Sequence, residues 1–282
     1  MKLFQKIADI QAFITRKKDQ NLSIGFVPTM GALHEGHLTL LSECKKQCDI
    51  AIVSIFVNPT QFNDKKDLDK YPRTIAKDIQ ALIARECDTL FYPEINEIYP
   101  AEEITRFYDL GSLERVFEGA HRPGHFQGVC QVVDKLFTIV KPNRAFFGQK
   151  DYQQCMVIKR LIELTPSFSS IAVNIVPTMR EESGLAMSSR NVLLSGTEKK
   201  DAEAIYQSLL FIKEVLKPGP VEAVANEAAK RLQLKGFRPD YVGIADANTL
   251  QPVVNWDGKR PLVALIAAFI GNIRLIDNLV IA

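Results

Sequence analysis

The run Ile50-Ala51-Ile52-Val53-Ser54-Ile55-Phe56-Val57 constrains the fold of this chain more than any other feature. It reads as a continuous apolar strand with a β-branched bias, and such a strand belongs in a sheet covered on both faces. The rest of the first half supplies the covering. Helical patterns over Ile7 to Arg16, Leu38 to Gln47, Ile75 to Arg85, Gly128 to Val140 and Gln153 to Leu164 alternate with strand patterns. Those strands are Ile24 to Val27, Thr89 to Tyr92, Ala145 to Gly148 and Ile171 to Val176. The alternation predicts an α/β fold, a doubly wound Rossmann-like parallel sheet.

After Val176 the pattern changes. A long amphipathic helix is expected over Glu198 to Leu216 and another over Val221 to Leu234, punctuated by Lys217-Pro218-Gly219-Pro220. Strand-like pieces follow at Asp240 to Ala245 and Leu262 to Ile270. We therefore expect residues 1–176 to form a Rossmann-like domain and residues 177–282 a smaller α+β domain. The charged block from Asn63 to Lys70 reads as a solvated loop. No internal repeat points to a solenoid.

A formal net charge of +2 gives no reason to invoke nucleic acid or a membrane surface. The first residues, Met1 to Lys6, lack the apolar core of a signal peptide. The longest apolar run, Leu262 to Ile270, falls far short of the ~20 residues a spanning helix needs. Cys44, Cys48, Cys87, Cys130 and Cys155 form an odd set without a C-x-x-C pair. They read as reduced thiols in a cytoplasmic protein.

The chemistry-bearing stretch is Pro28-Thr29-Met30-Gly31-Ala32-Leu33-His34-Glu35-Gly36-His37. Two histidines three residues apart stand where a strand ends and a helix begins, the usual ligand crevice of an open α/β sheet. A helix N-terminus offers N–H groups and a positive dipole end to phosphate, and imidazoles donate to phosphate oxygens without a fixed charge. Two surface histidines on a capped helix would look the same locally. A zinc protease would not, because its H-E-x-x-H sets the histidines one full turn apart, and only one residue separates Glu35 from His37. The H-x-G-H pattern resembles the signature of the nucleotidyltransferase superfamily, shared with class I aminoacyl-tRNA synthetases.

Four further segments place polar residues at strand ends or in loops. Phe56-Val57-Asn58-Pro59-Thr60-Gln61-Phe62 closes the second long strand and carries amides suited to a small polar substrate. Arg122-Pro123-Gly124-His125-Phe126-Gln127-Gly128-Val129 precedes a helix. Phe147-Gly148-Gln149-Lys150-Asp151-Tyr152-Gln153-Gln154 sets a lysine at a helix start, where it can neutralise phosphate. Gly184-Leu185-Ala186-Met187-Ser188-Ser189-Arg190-Asn191 offers hydroxyls and a guanidinium as an anion grip. Taken singly, each is ordinary loop chemistry.

Together, in this order and spacing, these segments resemble the pantothenate synthetase family, the pantoate–β-alanine ligases, over nearly the whole chain. Tyr71-Pro72-Arg73, Pro177 to Asn191, Asp240-Tyr241-Val242 and Arg274-Leu275-Ile276-Asp277-Asn278 fit it too. Met187-Ser188-Ser189-Arg190 is similar to the K-M-S-K-S loop that accompanies H-x-G-H in the synthetases. One departure is Gln149, where the family often has glutamate.

The resemblance implies an ATP-dependent ligase that makes pantothenate from pantoate and β-alanine through a pantoyl adenylate. It implies catalytic roles for His34, His37 and Lys150, with His37 as proton donor. ATP would be held by Met30, Gly31, Ala32, Leu33, His34, Glu35, Gly36 and His37, by Gly148, Gln149, Lys150 and Asp151, by Val176, and by Leu185, Ala186, Met187, Ser188, Ser189 and Arg190. Gln61, Gln154 and Asn58 would bind substrate. Mg²⁺ would bridge phosphates, with ligands the residues do not identify. The family also implies a homodimer without nucleic-acid or membrane partners. A C-terminal lid would shield the acyl adenylate from water.

Three rivals remain at this stage. Another nucleotidyltransferase would share the first motif but not the paired Gln61 and Gln154 segments. A metal-dependent hydrolase could use His34, His37, His121 and His125. A nucleotide-binding module would release no pyrophosphate.

Overall fold

The computed structural model describes residues 1–63, 65–100 and 106–281. Six strands, β1 (Lys2–Phe4), β2 (Ile24–Thr29), β3 (Ile50–Ile55), β4 (Thr89–Phe91), β5 (Arg144–Gly148) and β6 (Ala172–Val176), form one parallel sheet in the order β1-β4-β3-β2-β5-β6. Ile50–Ile55 is buried throughout, as an unbroken apolar strand in the middle of a sheet must be.

The order reverses at β2. The chain runs outward through β3 and β4, then returns to place β5 on the other side. Ligands of open α/β sheets lodge at the carboxyl ends of strands beside such a switch. The loops after β2, β3 and β5 leave from that end.

Helices α1 (Ile7–Asp19), α2 (Glu35–Gln47), α3 (Lys65–Lys70), α4 (Ile75–Ala84) and α5 (Ile95–Ile98) lie in the first hundred residues. Next come α6 (Phe117–His121), α7 (His125–Val140) and α8 (Tyr152–Leu164). In α1, Ile10, Phe13 and Ile14 form the buried i, i+3, i+4 stripe. Leu38, Leu41 and Cys44, at i, i+3 and i+6, form the buried stripe of α2, where they join Val27, Val53, Leu90 and Phe146 in one apolar cluster.

The later residues form α9 (Gly196–Asp201), α10 (Glu203–Val215) and α11 (Glu222–Leu234), with β7 (Gly219–Pro220) paired to β9 (Asn255–Trp256). An antiparallel sheet of β8 (Arg238–Asp246), β10 (Leu262–Ile270) and β11 (Ile273–Ile281) has the order β11-β10-β8. Its apolar cluster joins Ile205, Leu209 and Ile212 of α10 to Leu262, Ile266 and Leu275.

Two expectations are corrected. The helix over 198–216 is two helices, α9 and α10, which meet at Ala202, where the Ile205 N–H reaches back three residues to Ala202 O at 3.3 Å in a 3-10 type bond. The block at 63–70 is not all loop: Asp64 lies outside the described residues, but Lys65–Lys70 is helical, in line with the helix propensity of Lys and Leu.

The chain divides into two compact units. The first holds Met1–Gly111, Arg122–Gln149 and Gln154–Pro177, and the second holds Ser112–His121, Lys150–Gln153 and Thr178–Ala282. The second unit thus takes two short segments from within the first 176 residues. Among the described residues no helix is long and apolar enough to cross a membrane, and all five cysteines are free thiols.

Candidate active site

The first functional loop follows β2. Gly31 and Ala32 both adopt left-handed backbone, φ 79° and 49°, which turns the chain sharply into α2. Glycine accepts this geometry and alanine resists it, so the turn needs an outside anchor. Asp78 of α4 supplies one. Its carboxylate accepts the Ala32 N–H at 3.0 Å, the Leu33 N–H at 2.9 Å and the Thr74 hydroxyl at 3.0 Å. Asp78 is only 2% exposed, a burial tolerable for a carboxylate because its oxygens are hydrogen-bonded. Thr29 completes the turn: its Oγ1 donates to Ser54 O at 2.7 Å and accepts the Gly31 N–H at 3.2 Å.

His34 is the N-cap of α2. Its Nδ1 accepts the Gly36 N–H at 3.1 Å, and His37 Nδ1 accepts the His34 N–H at 3.4 Å. The pair forms a reciprocal capping box in which imidazoles replace the usual hydroxyl and carboxylate. The ring centroids stand 4.1 Å apart. A ring whose Nδ1 accepts carries the proton of its neutral form on Nε2. The helix start therefore fixes two Nε2–H donors side by side at its positive end. Glu35 faces elsewhere and pairs with Arg85 at 2.8 Å.

The loop after β3 runs into a 3-10 turn, Pro59–Gln61. Asn58 ties it together. Its Nδ2 donates to Gln61 Oε1 at 3.1 Å and to Gly128 O at 3.0 Å, while its Oδ1 accepts from Tyr99 OH at 2.9 Å. Gln61 Nε2 approaches Met30 Sδ at 3.1 Å, so the amide segment touches the residue before Gly31. His125, at the start of α7, contacts Gln61 O through Nδ1 at 2.7 Å. The close approach of α7 to this turn requires Gly128, whose missing Cβ would stand 2.3 Å from Thr60 O.

Gly148 ends β5, and a 3-10 turn, Gln149–Asp151, leads into α8. Of the two glutamines that follow, Gln153 is structural. It donates to Leu113 O at 2.7 Å and Val116 O at 2.9 Å and accepts the Glu118 N–H at 3.0 Å. Gln154 is partly exposed. Val176 is buried in the apolar cluster of the parallel sheet, so only its backbone can meet a ligand.

In the second unit, Lys150 Nζ lies 3.8 Å from Asp151 Oδ1. Residues 179–187 form a small hairpin, with Arg180 bridged to Ala186 and Met187 N donating to Met179 O at 3.0 Å. Leu185 packs in the apolar cluster under α10, so it too offers a ligand only backbone. Ser188 Oγ accepts the Arg190 N–H at 3.3 Å and caps the 3-10 turn Ser189–Leu193. Ser188, Ser189 and Arg190 thereby share one tight turn and are partly exposed.

The second unit also holds a polar network absent from the expectations. Arg274 reaches Glu118 at 2.7 Å and Asp240 at 2.8 Å. Tyr241 OH donates to Glu118 Oε1 at 3.0 Å, and His121 Nδ1 meets Asp240 Oδ1 at 3.0 Å. Burial works against the Arg274 charge, but the Glu118 and Asp240 hydrogen bonds outweigh it and hold its pKa above the ordinary value. Burial, aided by Glu118, pushes the Tyr241 hydroxyl well above its usual range.

The four histidines do not assemble a metal centre. Among the described residues no group of three or more His, Cys, Asp or Glu side chains is arranged to hold a metal ion. His121 is engaged with Asp240, and His125 with Gln61. Asp78 and Gly128 are the residues that motif reading missed. Asp78 sits in an unremarkable helical pattern and acts on a loop 45 residues earlier. Gly128 stood within a recognised segment, but its need is visible only against Thr60.

A family model described as Pantoate-beta-alanine ligase matches residues 2–280. The chain is 44% identical over 283 residues to the pantothenate synthetase of Porphyromonas gingivalis strain W83, the match covering 99% of each chain. It is 44% identical over 284 residues to the pantothenate synthetase of Thermosipho africanus, covering 100% of each. The structure is similar to that of pantothenate synthetase from Thermus thermophilus, with a TM-score of 0.87 at 39% identity over 99% of both chains. It is also similar to the pantoate-β-alanine ligase of Francisella tularensis in complex with β-γ ATP and β-alanine. That TM-score is 0.82 at 37% identity, over 99% of this chain and 97% of the other.

Proposed function

The chain belongs to the pantoate–β-alanine ligase family, and from that premise we propose how its residues join pantoate to β-alanine at the expense of ATP. A pantoate carboxylate oxygen attacks the α-phosphorus, the bond from that phosphorus to the β-phosphate oxygen breaks, and pyrophosphate leaves. The β-alanine amine then attacks the acyl carbon of pantoyl adenylate. A C–N bond forms, the C–O bond to AMP breaks, and the amine loses a proton.

The observation that carries this reading is the capping box in which His34 and His37 each accept a backbone N–H at Nδ1, the arrangement that leaves Nε2 as the donor of a neutral ring. Transfer of this kind needs positioned donors more than covalent help. Both rings are aimed by backbone N–H groups, so they require no reorganisation when charge builds on the α-phosphate and the departing pyrophosphate. His37 is assigned as the hydrogen-bond donor, through Nε2–H, to the oxygen that gains charge as pyrophosphate leaves.

Lys150, Ser188, Ser189 and Arg190 are assigned to phosphate oxygens. Met30, Gly31, Ala32, Leu33, Gly36, Gly148, Gln149, Asp151, Ala186 and Met187 are assigned to the nucleotide. Glu35, Val176 and Leu185 would meet it through backbone atoms. Gln61 and Gln154 are assigned to pantoate, whose hydroxyls suit amides that donate and accept at once, and Asn58 is assigned to that site through its hold on the Gln61 amide. Mg²⁺ would accompany ATP and supply positive charge at the phosphates, with no ligand in this chain assigned to it. A cytoplasmic homodimer completes the proposal, and light scattering of the purified protein tests the dimer.

The deciding experiment is pyrophosphate release from ATP with pantoate alone, followed by AMP release on adding β-alanine. Pyrophosphate released without pantoate would overturn the reading. For the amide site, Gln61→Glu places a negative charge against pantoate's own. It should harm pantoate use more than Gln61→Ala does and leave ATP binding near normal. Wild-type pantoate kinetics in Gln61→Glu would move the site elsewhere.

A further inference from the structure

Side chains alternate across β11. Ile273, Leu275, Leu279 and Ile281 belong to the apolar cluster shared with α10, while Arg274 points the other way to Glu118 and Asp240. Asp277 and Asn278 are consecutive, so they serve opposite faces. Both are buried, at 4% and 2% exposure. A carboxylate and an amide buried in a strand otherwise rich in Ile and Leu oppose its packing and call for a reason.

Asp277 takes Arg180 in a two-pronged ion pair, Nη1 to Oδ2 at 2.5 Å and Nη2 to Oδ1 at 3.1 Å. Arg180 is itself immobilised: it stacks 4.0 Å over the Tyr206 ring and donates to Gly184 O at 3.1 Å and Asn278 O at 3.3 Å. The clamp falls on the hairpin at the residue beside Met179, which pairs with Met187, the last residue before Ser188. On the opposite face, Asn278 Nδ2 donates to Lys150 O at 2.8 Å. Two separate segments, one carrying Ser188 to Arg190 and one carrying Lys150, are therefore referenced to one dipeptide of one strand.

We propose that Asp277 and Asn278 are positioning residues for adenylation, setting the Ser188–Arg190 turn and Lys150 in register for a triphosphate without touching it. The inference rests on the assignment of those residues to phosphate. It explains why a buried ion pair and a buried amide stand next to each other in this strand. An arginine committed on both prongs to Asp277 serves geometry, whereas Arg190, partly exposed, serves the ligand.

The test is a pair of double-mutant cycles read by kcat/KM for ATP in the pantoate-dependent release of pyrophosphate. Asn278→Ala and the near-isosteric Asn278→Leu each remove the donor to Lys150 O. Either should lower kcat/KM for ATP by about tenfold in the wild-type background and by less than about twofold beside Lys150→Ala, the non-additivity expected of groups acting as a unit. Asp277→Asn should behave likewise against Arg190→Ala. Thermal melts accompany each variant. If Asp277→Asn does not fold, the Asn278 cycle decides. Losses that multiply fully in the Lys150→Ala background would overturn the proposal, because Asn278 would then act by another route. Lys150→Ala with wild-type adenylation would instead overturn the phosphate assignment on which it stands.

Discussion

Gly128→Ala sets two effects of opposite sign against each other. Gly128 lies in the second turn of α7, where alanine in place of glycine ordinarily stabilises a helix by about 1 kcal/mol. Here a Cβ would stand 2.3 Å from Thr60 O and 2.7 Å from Gln61 Cα, both backbone atoms. A carbon and a carbonyl oxygen need about 3.3 Å, so the Pro59–Gln61 turn must retreat by roughly 1 Å. Asn58, which ties that turn to Gly128 O, limits the retreat. Overpacking of this kind costs about 1–3 kcal/mol, enough to cancel or reverse the helix gain and leave a net loss of up to about 2 kcal/mol. The larger consequence falls on Gln61. A 1 Å misplacement of a positioning group can cost on the order of 10²-fold in rate. Urea denaturation should therefore give a modest loss of stability. Steady-state kinetics should give a loss of about 10²-fold in kcat/KM for pantoate with ATP affinity little changed. A variant that is more stable than wild type and turns over pantoate normally would refute the argument.

His37→Ala should slow adenylation in single-turnover assays by about two to three orders of magnitude, the scale of one preorganised donor. Its stability should stay within about 1 kcal/mol of wild type, since the cap contact it gives up is weak. Asp78→Ala strips the acceptor from the Ala32 and Leu33 N–H groups and the Thr74 hydroxyl. It should lower unfolding free energy by about 3–5 kcal/mol and weaken ATP binding, and a loss under about 1 kcal/mol would remove Asp78 as the anchor of the turn. Burial raises Cys87 from an ordinary 9.0 to about 11, so its contribution to stability is complete below pH 9 and is lost as pH rises through about 11. Native protein at about pH 8, below the ordinary thiol range, should resist iodoacetamide at Cys44 and Cys87 by mass spectrometry, while urea-unfolded protein is labelled at both.

The parallel sheet was legible because strands covered on both faces are mostly apolar, and β2, β3 and β5 are written that way, with Ser54 the one polar residue inside β3. The H-x-G-H start was legible because glycines and histidines between an apolar run and a leucine stripe have few other readings. Strand β11 was harder. Its alternation of Ile273, Leu275, Leu279 and Ile281 is concealed by Asp277 on the same face and by Ile276 and Val280 on the other, and Asp277 is polar because of a partner distant in sequence. Ala202 fits the helical period on both sides, so nothing local announces the break between α9 and α10. Asp78 was invisible for a related reason: its helix would form equally well with the carboxylate in water. The recruitment of residues 112–121 and 150–153 into the second unit depends on Glu118 and Gln153 finding their partners, information carried by no single segment.

The chain passes between its two compact units at 111/112, 121/122, 149/150, 153/154 and 177/178. A domain encoded as one uninterrupted stretch can be duplicated, fused or exchanged by a single recombination event. Neither unit here is such a stretch. A graft of residues 178–282 would leave behind Glu118, the carboxylate that Arg274 and Tyr241 share. During synthesis the same threading makes the early segments wait, since Glu118 leaves the ribosome long before Asp240 and Arg274 exist. The two units are bound to a common inheritance, and each can diverge only as far as the segments it lends to the other allow.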